Sequence, residues 1–108
     1  MIDKALGSAV VLVSAGTIFE AGMVAISRMG SSGFQEVLKV IQELDAEVRP
    51  LDLDLAIVCV EAFDKFGKGR HPASLNFGDC MVYALAKSEK MPVLCTGDDF
   101  SKTDIVVA

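Results

Sequence analysis

A chain of 108 residues, 52% of them hydrophobic, is long enough for one core, and a single domain over 1–108 is expected. A formal net charge of −5 argues against a broadly basic protein that coats nucleic acid, though it leaves room for a local positive patch. No apolar run approaches membrane-spanning length, and Val10–Val13 is too short for the core of a secretion signal. Trp is absent and aromatic content is 6%, so Val, Leu, Ile, Ala and Met must build the core. Cys59, Cys80 and Cys95 have no metal-site spacing and lie in apolar surroundings, the pattern of buried reduced thiols in a cytoplasmic protein.

In chain order, Met1–Gly7 is a polar lead-in. Ala9–Val13 is a continuous β-branched run, the pattern of a buried parallel strand. Ser14 or Thr17 caps a helix that runs to about Arg28, with Glu20 expected in its first turn. Met29–Gly33 is a turn by composition. Phe34–Glu47 repeats Phe34, Val37, Leu38, Ile41 and Leu44 at helical spacing. Val48–Leu51 is short and extended. Asp52 or Asp54 caps a helix over about Leu55–Phe66. Gly67–Ser74 is a basic loop, and Asn76 caps a helix over Asn76–Ser88 that carries Asp79 in its first turn, where a carboxylate favours the positive end of the helix dipole. Pro92–Thr96 reads as a second buried strand, Gly97–Thr103 as a polar turn and Ile105–Val107 as a short last strand. Helices alternating with short apolar strands predict an α/β fold with a parallel sheet and helices on both faces.

In such a sheet, ligands bind beyond the carboxyl ends of the strands. Glu20, Asp79, Asp98 and Asp99 fall near those ends. Taken singly, Glu20 is a helix-start charge, Asp79 a capping-box partner of Asn76, and Asp98 and Asp99 turn residues. Taken together, they form a hard-oxygen set suited to Mg²⁺ or Mn²⁺. No Ser/His/Asp or Cys/His arrangement competes. In the basic loop, Lys68, Arg70 and His71 read either as a contact for RNA phosphate, or a dock for a partner's tail, or as a solvated face.

The runs HPASLNFGDCMVYALAK and MPVLCTGDDFSKTDI, with VVLVSAGTIFE upstream, resemble the PIN-domain ribonuclease toxins of VapC type over nearly the whole chain. The resemblance implies a three-layer α/β/α fold with a small parallel sheet. The family's opening strand, which ends in the first of four acids, has no counterpart here, so the first strand is expected to be missing. It further implies a metal-dependent endoribonuclease, the toxin of a toxin–antitoxin pair. Such toxins act in the cytoplasm as homodimers and are silenced by a VapB-type antitoxin. Carried over by motif, Glu20 matches the second acid, Asp79 the third and Asp99, in preference to Asp98, the fourth. Asp104 joins the metal set as a nearby acid. Asp3 falls before the first matched strand and takes no ligand role. The alternative reading is a truncated PIN remnant, weak or inactive, that acts only as a binding module.

Overall fold

The computed structural model describes residues 10–92 and 100–107. Among them, strand β1 (Leu12–Ser14) leads directly into helix α1 (Ala15–Met29), followed by α2 (Gly33–Glu43), β2 (Glu47–Arg49), α3 (Leu53–Phe66), α4 (Phe77–Glu89) and a short 3-10 turn at Phe100–Lys102. β1 and β2 pair in parallel, with Leu12 opposite Glu47, Val13 opposite Val48 and Ser14 opposite Arg49. The parallel sheet and helices are those expected of the three-layer α/β/α fold. The anticipated strand at Pro92–Thr96 falls, apart from Pro92, outside the described residues. Of the expected strand at Ile105–Val107, Val107 makes a β-bridge.

Local chemistry sets the element boundaries. Of the two candidate caps for α1 it is Ser14 that acts: its Oγ accepts from the Gly16 N–H at 3.1 Å, although Ser14 itself is only 1% exposed. Gly30 ends α1 at φ 79°, a left-handed conformation that costs glycine nothing, and its N–H bonds the Ile26 carbonyl at 2.8 Å. Helix α2 stops at Glu43 rather than Glu47, because Asp45 turns left-handed at φ 50° and releases the chain into β2. Asp52, not Asp54, caps α3, accepting from the Leu55 N–H at 2.9 Å, so that helix begins two residues earlier than its apolar pattern suggested.

Packing follows the small residues. A side chain at Gly33 would run into the Ala25 carbonyl, and one at Gly22 would stand 2.9 Å from the Phe34 ring, so α1 and α2 approach closely at these two points. On the other side α4 is the most buried helix, with Cys80, Met81, Tyr83, Ala84, Leu85 and Ala86 all inside. Its partners there are Ala62 and Phe66 of α3, together with Ala73, Leu75 and Phe100. The Gly67–Leu75 loop is closed by backbone bonds from Lys68 N–H to the Leu75 carbonyl (2.9 Å) and from Leu75 N–H to the Phe66 carbonyl (3.0 Å). Gly69 supplies the sharp turn in it, at φ 82°. No helix of the described residues is long and apolar enough to cross a membrane.

Candidate active site

The packing of α1 on α4 brings Glu20 to the first turn of α4, where Asp79 lies. Glu20 lies in the second turn of α1, one turn later than expected, because Ser14 rather than a later residue starts the helix. It is half-buried, and its carboxylate stands against the α-carbon of Gly78, where a side chain would otherwise be. Asp79 is the next residue. Glu20 has no hydrogen-bond or ion-pair partner among the described residues.

Asp79 fills the capping role anticipated for it. Its N–H donates to Asn76 Oδ1 at 2.8 Å, and its own Oδ2 accepts from the Asn76 N–H at 3.1 Å. This reciprocal capping box fixes the start of α4 and therefore the direction of the Asp79 carboxylate. A carboxylate oxygen offers more than one acceptor site, so the cap leaves Asp79 further capacity toward a cation.

Asp104 goes elsewhere. Its carboxylate accepts from the Tyr83 hydroxyl and pairs with Lys87 Nζ at 2.6 Å, with Lys65 Nζ at 4.0 Å. The bonds from Lys87 and Tyr83 hold the Asp104 carboxyl below the usual carboxylate range. Burial, and then the hydrogen bond to that carboxylate, raise the Tyr83 phenol well above its ordinary value. This cluster ties the chain after Phe100 to α4. Among the described residues no three His, Cys, Asp or Glu side chains converge as a metal set, so Asp104 does not complete one with Glu20 and Asp79. Asp98 and Asp99 lie outside the described residues.

The three loop residues diverge as well. Arg70 is tied back to Asp64, through its Nη2 to the carboxylate at 2.7 Å and its Nε to the backbone carbonyl at 3.0 Å. His71 is turned inward: its Nδ1 accepts from the Ala73 N–H at 3.0 Å and its ring meets Phe66 edge-on at 5.0 Å. Lys68 is exposed, with no side-chain partner among the described residues. Of the cysteines, Cys80 is buried and its thiol is pushed up to about 11, chiefly by burial, while Cys59 is raised for the same reason. Cys95 lies outside the described residues.

The PIN domain family model matches residues 2–106. The chain belongs to the PIN-domain family. Its relatives place it in the VapC branch: it is 37% identical to ribonuclease VapC36 of Mycobacterium tuberculosis over 94 residues, covering 87% of this chain and 68% of that relative. It is 36% identical to ribonuclease VapC30 of the same species, covering 87% of this chain and 72% of the relative. Ribonuclease VapC of Mycolicibacterium smegmatis is 37% identical over 93 residues, 86% of this chain and 72% of the relative.

Within this PIN domain, sequence reasoning singled out Glu20 and Asp79 as candidates but passed over Gly78, against which the Glu20 carboxylate stands. Gly78 precedes Asp79 in the FGDC run, and its only signal is a glycine inside a helix that favours other residues. Tyr83 and Lys87, one turn apart on α4, were readable as sharing a face, but nothing in the sequence named Asp104 as the group they share.

Proposed function

We propose that this PIN domain is a metal-dependent endoribonuclease, the toxin of a VapC-type toxin–antitoxin pair. The observation that carries the reading is the Glu20 carboxylate, without a cationic or proton-donating partner among the described residues, standing beside Asp79 at the start of α4. Two such oxygen donors fit Mg²⁺ or Mn²⁺ and would suit a soft metal poorly. Glu20 and Asp79 would hold the ion, with Asp99, in preference to Asp98, as a further ligand. Asp104 is left out of the set because Tyr83 and Lys87 occupy its carboxylate. When bound, the ion supplies charge stabilisation at the scissile phosphodiester and lowers the pKa of water for attack.

The chain's own part is positional. The capping box holds the Asp79 carboxylate, and the packing of α1 on α4 brings Glu20 to the start of α4, an arrangement that supports a site present before substrate arrives. Lys68 is the loop cation available to an RNA phosphate. A VapB-type antitoxin would silence the enzyme in the cytoplasm by covering the acidic cleft. A homodimer belongs to the same reading: Val60 and Phe77, 69% and 75% exposed, line one apolar groove with Leu51 and Phe63 that a second copy would cover.

The test is RNA cleavage by the 108-residue chain with Mn²⁺ and with chelator, beside thermal melts of the chain and of Asp79→Asn. Metal-dependent cleavage, and a melting rise with Mn²⁺ that Asp79→Asn abolishes, are expected. Absence of both would leave the alternative, a PIN fold that binds a partner without cleaving RNA.

A further inference from the structure

We propose that Gly78 is a positioning residue: the side chain missing there leaves the space in which the Glu20 carboxylate stands beside Asp79. Gly78 is buried inside α4, and its backbone is not left-handed, so alanine would adopt the same conformation without strain. Alanine is also the better helix former, so local propensity argues against glycine at this position. What excludes a larger residue is the neighbour. A β-carbon at Gly78 would overlap both Glu20 carboxylate oxygens, and those carboxylate atoms are its three nearest neighbours.

The nature of that neighbour decides the consequence. At Gly33 the obstacle is the Ala25 backbone, so a side chain there would force two helices apart. At Gly78 the obstacle is the end of a flexible side chain. An added methyl group would leave the helices where they are and push the Glu20 carboxylate off the first turn of α4, where Asp79 lies. Gly78 therefore acts on the site through Glu20 alone. A local rule broken without a structural need, next to two acids, is the pattern expected where a site governs the choice of residue. The role of the space rests on the metal-centre reading, whereas the steric relation does not.

Two measurements on the same four chains (wild type, Gly78→Ala, Glu20→Ala and the double variant) separate these. In chelator, Gly78→Ala should stabilise the Glu20→Ala background more than it stabilises wild type, by about threefold or more in the unfolding constant. Additive effects would overturn the proposal. With Mn²⁺, followed by calorimetry, Gly78→Ala should weaken binding about tenfold or more, and should do nothing further once Glu20 is alanine. Wild-type binding that Gly78→Ala leaves unchanged would also overturn it. Coupling in chelator with no Mn²⁺ binding by wild type would uphold the placement of Glu20 by Gly78 and overturn the metal-centre reading instead.

Discussion

Asn76 and Asp79 cap one another: each donates its backbone N–H to the other's side chain, at 3.1 and 2.8 Å, and the pair sets the first turn of α4. Because α4 supplies more of the buried core than any other helix, its start is coupled to global stability. Asn76→Ala should cost about 1 kcal/mol in chemical denaturation, the usual loss for an N-cap. Asp79→Asn keeps an oxygen for the Asn76 N–H and should cost less than half as much. An Asp79→Asn chain as unstable as Asn76→Ala would mean that the charge, not the hydrogen bond, holds the cap.

Tyr83 and Asp104 give the stability two pH limits of opposite sign. Asp104 is depressed in the folded chain, so its contribution is present above the ordinary carboxylate value of about 4 and is lost as pH falls through the depressed value. Tyr83 is raised, so its contribution is complete below the ordinary phenol value of about 10 and declines as pH rises above it. The chain has one tyrosine, so tyrosinate absorbance reports this group alone. Ionisation should coincide with alkaline unfolding rather than precede it. Tyr83→Phe should lower stability by about 1–2 kcal/mol at neutral pH and weaken the alkaline decline, leaving the part due to the raised Cys80 thiol.

Cys80 should be nearly inert in the folded chain. Its thiol is raised to about 11 and is buried, so the thiolate that reacts is scarce. Alkylation by iodoacetamide at pH 8, followed by peptide mass spectrometry, should run roughly a hundredfold slower at Cys80 in the native chain than in denaturant. Comparable rates would mean that α3 and α4 separate readily.

For RNA binding, Lys68 and Arg70 should behave differently. Lys68→Ala should reduce the salt slope of the binding constant by about one phosphate contact. Arg70→Ala should change it less, because Asp64 already offsets that guanidinium at 2.7 Å. The ion pair is exposed on both sides and contributes little to stability, so Arg70→Ala should leave the melt within a few degrees of wild type. Equal effects on the slope would mean that RNA displaces Asp64.

Sequence by itself determined the features whose partners lie within one helical turn. The cap of Asn76 with Asp79 is one such feature, and for the other two helices the sequence narrowed the cap to Ser14 or Thr17 and to Asp52 or Asp54, the structure choosing Ser14 and Asp52. The family motifs and the parallel pairing pattern were legible for a similar reason, being carried by contiguous runs. Boundaries slipped where a single backbone dihedral decided them, as at Asp45. Only the tertiary structure decided which distant side chains meet. It set the Glu20 carboxylate on Gly78 by packing α1 against α4, and gave Asp104 to Tyr83 and Lys87 rather than to the acidic pair. Such contacts join residues far apart in sequence, and their geometry is fixed by close packing of whole helices, which no local pattern encodes.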